Sequence, residues 1–243
     1  MIGYLWSILY PIIYFTVLYV VFVLFLKMGA GTPHWPVAML LGIVIWTFFD
    51  EATHRSLGTV VAHGGLLRKI DFDKPILVIS ELAGAAINFG INLCVILVFA
   101  LINGVHINWT IIFVIPLIFE LLLVTAGISF IVATIYVSFR DIEPIWNVLL
   151  QVGMFGSIII YPFSYIYNTH QLITRILLLN PLAQIIGDIR WALLGNLTGD
   201  YPPVFQVIFN PLVLAIPYIL SVAIFAFGYW IYNRQAADFA EVI

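Results

Sequence analysis

Charged residues are scarce in this sequence. Asp, Glu, Lys and Arg together make up 9% of its 243 residues, whereas about 25% is usual for a soluble protein. Hydrophobic residues make up 63% of the chain, and its mean hydropathy is +1.13. No long polar segment separates the apolar runs. We therefore predict an all-α integral membrane protein with a single transmembrane domain over residues 1–243 and no soluble domain.

Other absences narrow the function. The only cysteine is Cys94, which excludes an intrachain disulfide and is expected to be a small buried side chain. The sequence has no GxxxxGK[ST] loop, no HExxH motif and no histidine pair at metal-ligand spacing. We therefore predict no metal site, no cofactor bound by this chain and no enzymatic activity. The net charge of −3 gives no sign of nucleic-acid binding, and the N-terminus lacks the basic segment of a cleavable signal peptide.

Six apolar runs approach the roughly 20 residues that a helix needs to cross a bilayer. The predicted spans are Tyr4–Leu26, Pro36–Arg55, Ile76–Leu101, Thr110–Val137, Ile145–Ile160 and Val207–Tyr232. Between the last two spans the chain is mixed. There, the amphipathic stretch Asn180–Leu194 is typical of short helices in the membrane interface.

Lysine and arginine positions predict the orientation. With the N-terminus inside, six cations fall on the cytoplasmic side and three on the outer side, which favours an N-in, C-in topology. The inner set is Arg55, Arg68, Lys69, Lys74, Arg140 and Arg234, and the outer set is Lys27, Arg175 and Arg190.

The most highly charged segment is Leu66–Pro75, which holds three cations and two acids in ten residues. Such a cluster belongs in water, because each charge at the bilayer centre costs at least ~2.5 kcal/mol. Its amphipathic spacing predicts a short surface helix that stops before Pro75. It is either an ordinary positive-inside loop or a cytoplasmic handle for another protein. A second charged turn, Arg140-Asp141, is predicted on the same side.

Polar groups also lie within the spans, and each has two interpretations. The cluster of charged and ionisable side chains at the end of span 2 is either a neutralised group at the inner membrane edge or an ion site. Glu120, ~15 Å into span 4, is either a hydrogen-bonded structural acid or part of a transport pathway. The polar face of span 3 either packs against a helix or lines a pore. The cluster comprises Asp50, Glu51, His54 and Arg55, and the polar face comprises Ser80, Gly84, Asn88 and Asn92.

Two further patterns predict helix contacts. Trp6, Tyr10 and Tyr14 recur every four residues and share one face of span 1. Because Tyr14 is too deep for an interfacial belt, this face meets another helix or a conduit. In span 5, Gly153 and Ser157 form a small-xxx-small contact face.

Taken in order, several short stretches resemble the permease subunit of ABC-2-type exporters, in the branch that exports O-antigen and teichoic acid. They cover nearly the whole chain and are Gly3-Tyr4-Leu5-Trp6-Ser7 with Pro11, Glu51 with Arg55, Leu66–Phe72, Arg140-Asp141-Ile142, Tyr161-Pro162, Asn180-Pro181-Leu182 and Asp238-Phe239-Ala240-Glu241. The charged loop Leu66–Pro75 differs from the corresponding loop of the family, because Asp73 and Lys74 separate its phenylalanine from its proline.

The resemblance implies a homodimer of six-helix subunits that exports a lipid-linked glycan and carries two separate ATPase subunits, which bind ATP and Mg²⁺. It implies that the segment after Tyr161 forms re-entrant gate helices. It also implies a coupling helix that contacts the ATPase through Leu66, Arg68, Lys69, Ile70, Phe72 and Asp73. The implied aromatic lining of the channel is Trp6, Tyr10, Tyr14, Tyr161, Phe163 and Tyr165.

Three functions compete at this point. The first is a passive conduit opened by a partner's ATP cycle. The second is an ion-coupled secondary transporter that uses Glu120 and the Asp50–Glu51 pair, although no inverted repeat is visible. The third is a membrane transferase acting on a lipid-linked substrate, for which no metal motif is present. The cargo of an exporter could also be a drug, a peptide or a lipid.

Overall fold

The computed structural model describes residues 9, 12–27, 29, 31–67, 73–106, 108–195, 201–236 and 239. The described residues form helices, turns and loops and contain no strand. In chain order the helices are α1 (Ile12–Phe25, with a π-helical second half, Tyr19–Phe25), α2 (Trp35–Leu57), α3 (Thr59–Ala62), α4 (Gly64–Leu67), α5 (Pro75–Ile102), α6 (Val114–Ser138, preceded by the 3-10 turn Trp109–Phe113), α7 (Ile142–Gly156), α8 (Phe163–Thr169), α9 (Gln171–Leu177), α10 (Pro181–Leu194), α11 (Val204–Val207) and α12 (Pro211–Gln235).

Four of the described helices are long and apolar enough to cross a membrane, namely α2, α5, α6 with its 3-10 turn, and α12. Helices α9 and α10, bent by 102° at a short break, can supply a fifth crossing or a re-entrant loop. The described parts of α1 and α7 span 14 and 15 residues, fewer than a full crossing needs. The described chain therefore gives four or five candidate spans, and the count of six stays a prediction.

Helix α2 forms the centre of the bundle. Of its 23 residues, 17 are buried, whereas only four of the 25 residues of α12 are. Helices α5 and α6 flank α2, and the rings of Phe48 and Phe89 meet between α2 and α5 at 4.8 Å. A helix that is apolar on all sides is suited to this central position.

The polar face predicted on span 3 packs against α2. Asn88 donates to the Glu51 carboxylate over 2.7 Å, and a side chain at Gly84 would come within 3.0 Å of the Arg55 guanidinium. This supports the packing interpretation of that face. The predicted Gly153 contact also occurs, because a Cβ there would lie 2.8 Å from the Trp46 ring.

Helices α6 and α12 touch through two glycines. A Cβ on Gly228 would lie 2.2 Å from the Gly127 carbonyl oxygen, and a Cβ on Gly127 would lie 2.7 Å from the backbone of Ile224 and Phe225. Small residues allow this close approach of backbones, which drives helix association in membranes.

We expect Gly228→Ala to destabilise the bundle by about 1–3 kcal/mol, the usual cost of overpacking, because the clash is with backbone that cannot move aside locally. The measurement is thermal unfolding in detergent. Gly90→Ala in the middle of α5 is the matched control, since a Cβ there meets nothing within 4 Å. Equal melting temperatures for the two variants would contradict the contact.

One end of the bundle gathers the beginning of α5 and the ends of α6 and α12. Leu77, Val137 and Tyr232 share one hydrophobic cluster. The Tyr232 hydroxyl donates to the Lys74 carbonyl over 3.0 Å, and the Lys74 ammonium donates to the Ala236 carbonyl. Lys74 and Pro75, the Arg140-Asp141 turn that follows α6, and the end of α12 therefore lie at one end of the bundle. Residues 68–72 of the charged segment lie outside the described residues.

Helix α10, predicted as an amphipathic helix in the interface plane, is deeply buried in the protein. Twelve of its 14 residues are buried, including Gln184, Asp188 and Arg190. Arg190 was also counted among the outer loop cations, but its side chain is 4% exposed. Asp188 and Arg190 point into the protein because hydrogen-bond partners satisfy their side chains there.

The Arg190 guanidinium joins three segments. It donates to the carbonyls of Ala38 (2.9 Å), Ile158 (2.7 Å) and Ile159 (2.9 Å) and lies 5.5 Å from the Trp35 ring centroid. The span predicted to continue to Ile160 therefore ends as a helix at Gly156, and the next residues turn their carbonyls toward Arg190. Ile158 has a positive φ of 54° in this turn.

Two smaller predictions are also wrong. Cys94 is exposed on α5, because it faces outward from the bundle, where lipid rather than protein covers an apolar side chain.

The last span begins at Pro211 rather than at the predicted Val207. Proline suits the first helical position, and the Asn210 side chain caps the helix by accepting from the Leu212 amide over 3.0 Å.

Candidate transport cavity

A cavity of about 330 Å³ lies between α1, α2 and α7. Its wall combines the side chains of a tyrosine and a tryptophan with eight others, among which are a carboxylate, an imidazole and two amides. The lining includes Tyr14, Trp46, Thr47, Asp50, His54, Asn147, Gln151 and Met154. The Tyr14 hydroxyl reaches the Met154 sulfur over 3.1 Å. Tyr14, the described member of the predicted aromatic face of span 1, thus lines one cavity with Asp50 and His54 of the predicted charged cluster of span 2.

His54 forms a polar bridge across this cavity wall. Its Nδ1 lies 2.5 Å from Asp50 Oδ1 on α2, and its Nε2 lies 2.5 Å from Asn147 Oδ1 on α7. Both partners are oxygen acceptors, so this geometry fits the doubly protonated ring, which donates at both nitrogens. The bridge pairs Asp50 with a cation and links α2 to α7.

The rest of the charged cluster faces away from the cavity. Arg55 pairs with Glu51 over 2.5 Å, and Glu51 also accepts from Asn88. This part of the cluster is a neutralised helix contact at the α2–α5 boundary. Sequence reasoning grouped Asp50, Glu51 and Arg55, and the structure separates Asp50 from the other two.

A second cavity, of about 410 Å³, continues along α1 toward α8. Lys27, Pro162, Tyr165 and Asn168 are among its lining residues. At the rise of an α-helix, the thirteen residues from Tyr14 to Lys27 cover roughly 20 Å along the axis of α1. The two cavities therefore lie at different levels along α1.

The other predicted channel aromatics occupy different surroundings. The Tyr161 hydroxyl donates to the Phe155 carbonyl, and the Phe163 ring stacks on Tyr167 with centroids 5.4 Å apart. Both are part of the packing of the segment after α7. Trp6 and Tyr10 lie outside the described residues.

The predicted ATPase contact is described only at its edges. Leu66 lies in α4, and Asp73 is exposed. Arg68, Lys69, Ile70 and Phe72 lie outside the described residues. The second turn, Arg140 and Asp141, is exposed at the same end of the bundle.

Glu120 lies apart from the transport cavity. It is buried and accepts a hydrogen bond from the Ser221 hydroxyl over 2.8 Å, as the structural interpretation of this acid requires. In the described residues no three His, Cys, Asp or Glu side chains are grouped closely enough to hold a metal ion.

Sequence reasoning missed Trp46, Asn147 and Gln151 as cavity residues. Trp46 is one aromatic within an apolar run, and the other two follow the charged turn that starts α7. The available signal was the position of these amides: Asn147 and Gln151 are four residues apart and share one face of α7.

No family model matches the chain. It is 25% identical over its full length to O-antigen export system permease protein RfbA of Klebsiella pneumoniae, covering 88% of that protein. A second Klebsiella pneumoniae protein of the same name is 25% identical over 99% of the chain. The Myxococcus xanthus protein of that name is 25% identical over 84% of the chain and 78% of its own length.

The long apolar helices and these relatives define a multi-pass protein of the bacterial inner membrane. Within that class, the chain resembles the permease subunits of ABC-2-type exporters, in the branch that includes the O-antigen export permeases.

Proposed function

We propose that the chain is the membrane-spanning subunit of an ABC exporter that moves a lipid-linked polysaccharide or polyol-phosphate polymer across the cytoplasmic membrane. ATP is hydrolysed by a separate ATPase subunit, which holds the nucleotide and Mg²⁺. The observation that carries this proposal is the cavity between α1, α2 and α7, where Tyr14 and Trp46 lie beside Asp50, Asn147 and Gln151.

The chemistry of this cavity fits a polyhydroxylated chain. Aromatic faces cover the apolar C–H faces of sugar rings, while carboxylate and amide groups hydrogen-bond to hydroxyls. A conduit needs contacts that are favourable enough for entry and weak enough for release. Polar groups of the wall that already have protein partners, such as Asp50 with His54, favour the second requirement.

The assembly we propose is a homodimer of N-in, C-in subunits with six spans each. Its support is that the cavity face is built from only three helices and is open, so that a second copy can close the conduit. The ATPase subunits would bind at the end of the bundle that holds Leu66, Asp73, Arg140 and Asp141. Relatives named for O-antigen export favour a polysaccharide over a drug or peptide cargo.

The ion-coupled alternative is less well supported. It requires Glu120 and Asp50 to serve one pathway, but they line different clefts on different sides of the bundle.

Depleting the chain from its host should abolish surface display of the polymer and leave the lipid-linked form inside the cell. Immunoblotting of intact and lysed cells with a polymer-specific antibody measures both pools. Re-expression of the chain should restore display only when the ATPase subunit is present and competent for hydrolysis.

As a control, the chain purified alone should neither bind nor hydrolyse ATP, because its sequence has no phosphate-binding loop. Turnover by the isolated chain, or normal display with an inactive ATPase, would contradict the proposal.

A further inference from the structure

A separate cleft of about 580 Å³ lies between α6, α10 and α12, away from the transport cavity. Its walls are almost entirely apolar and rich in aromatic rings, with Phe113, Phe119, Leu123, Trp191, Phe205 and Val222 among them. The outer parts of these walls are exposed: Phe119 is 63% exposed and Val222 is 58% exposed. Because α6 and α12 are candidate spans, the cleft opens at the level of the lipid.

The same cleft reaches two acids. Glu120 of α6 and Asp188 of α10 both line it, and both are buried, at 8% and 7% exposure. Asp188 accepts from the Val204 amide (2.9 Å), the Gln184 amide (2.7 Å) and the Tyr218 hydroxyl (3.1 Å). These three donors come from α10, from the start of α11 and from α12, so Asp188 joins the three elements.

Glu120 accepts hydrogen bonds from Ser221 and Gln184, which are both neutral groups. Ser221 donates to it, but the same hydroxyl also lies 2.9 Å from the Pro217 carbonyl, and a hydroxyl has one proton to share. The amide oxygen of Gln184 is fully buried and has no hydrogen-bond partner, although its nitrogen contacts Asp188. The floor of the cleft therefore holds more acceptors than donors.

Positive charge is what this floor lacks. Among the described residues the ion pairs are Asp50–His54 and Glu51–Arg55, and neither involves Glu120 or Asp188. Arg190, on the same helix as Asp188, is directed to the three carbonyls on the other side. A buried acid that has only neutral hydrogen-bond partners can bind a cation at low cost, because the cation supplies the missing opposite charge.

We propose that this cleft binds a hydrophobic organic cation with a single positive charge, such as an alkylammonium or arylphosphonium ion. The charged centre lies against Glu120, and its apolar groups fill the walls. The Trp191 ring, with Phe113 at 5.8 Å and Phe205 at 5.9 Å, adds aromatic faces that attract cations.

The charge decides between this occupant and a plain lipid chain. An acyl chain would fill the apolar walls but would leave the acceptors of the floor without a partner. An anion would be repelled by Asp188. A cation that carries its own apolar groups satisfies both parts of the cleft, and it can enter from the bilayer, where such ions concentrate.

The test compares two ions of nearly equal size and shape and opposite charge. Radiolabelled tetraphenylphosphonium and tetraphenylborate are titrated against the chain in nanodiscs of neutral lipid, with empty nanodiscs as background. We expect saturable binding of one tetraphenylphosphonium per chain and no saturable binding of tetraphenylborate. Glu120→Gln should weaken tetraphenylphosphonium binding at least tenfold.

Two further variants separate charge from folding. Glu120→Asp keeps the charge and should bind within about fivefold of the unmodified chain, and Glu143→Gln removes an exposed acid of α7 and should have no effect. Equal saturable binding of both ions, or unchanged binding in Glu120→Gln, would overturn the proposal. Loss of binding in Glu120→Asp and Glu120→Gln alike would also overturn it, because a cation site needs the charge rather than the side-chain length.

Discussion

Arg190→Met is expected to destabilise the protein by at least about 1–3 kcal/mol, the typical cost of leaving a buried acceptor without its hydrogen bond. Methionine has a similar length and no donor. The carbonyls of Ile158 and Ile159, which accept from the guanidinium at 2.7 and 2.9 Å, would then be buried without that partner. The turn after α7 and the beginning of α2 would lose their common attachment to α10.

Thermal unfolding followed by size-exclusion chromatography in detergent measures this loss. Arg175→Met is the matched control, because Arg175 is exposed on α9 and should shift the melting temperature little. Arg190→Lys should fall between the two, since an ammonium group keeps the charge but lacks the planar fork that reaches several carbonyls at once. A melting temperature for Arg190→Met equal to that of the control would show that the guanidinium contributes nothing.

An independent variant tests the same contact from the other side. Gly42 faces Arg190, and a Cβ there would lie 2.8 Å from its terminal nitrogen. Gly42→Ala should therefore displace the guanidinium. In an Arg190→Met background it should cost less than in the unmodified chain, and a double-mutant cycle measures the difference.

The long spans were predictable because composition and length determine them. Helix α5 begins one residue before the predicted Ile76 and ends one after the predicted Leu101. A continuous apolar run in a bilayer has few alternatives to a helix, because every backbone group must be satisfied within the segment. Local sequence is enough for this inference.

The end of α7 and the burial of α10 were not predictable in the same way. Both depend on Arg190, whose partners Ala38 and Ile158 are 152 and 32 residues away in the chain. A lone arginine near an outer loop has the same local pattern whether it faces water or protein. Only the three-dimensional arrangement distinguishes these cases.

The candidate cavity was predictable in part. Tyr14 and Asp50 were separately identified, from helical periodicity and from the cost of charge in a membrane. In the structure both lie beside Asn147. Asn147 contacts His54, which is 93 positions away in the chain, and no motif in the sequence links the two. The separation of Glu51 from Asp50 follows from their being neighbours on a helix, which places them on different faces.

Phe72→Ala is expected to abolish export while the chain still inserts and assembles. The Leu66–Asp73 segment is predicted to bind in a cleft of the ATPase, and a buried aromatic anchor carries most of the affinity in such a contact. Loss of an anchor typically costs about 2–4 kcal/mol, which corresponds to roughly 30- to 1,000-fold weaker association. Lys69→Ala, which removes a rim charge, should weaken association by no more than about fivefold.

Co-purification of the ATPase with each variant and the amount of polymer displayed at the cell surface measure this difference. Crosslinking locates the contact directly. Because the chain's only cysteine, Cys94, is exposed, the experiment starts from a Cys94→Ala background. Phe72→Cys should then crosslink to the ATPase. Tyr165→Cys, in the cavity near Lys27 and α8, should not.

The comparison distinguishes a coupling element from a simple topological signal. A positive-inside loop acts through its cations, so Lys69→Ala would then matter more than Phe72→Ala. A coupling helix acts through its apolar anchor, so the order is reversed. Normal export by Phe72→Ala, together with no crosslink from Phe72→Cys, would leave the segment with the role of a positive-inside loop alone.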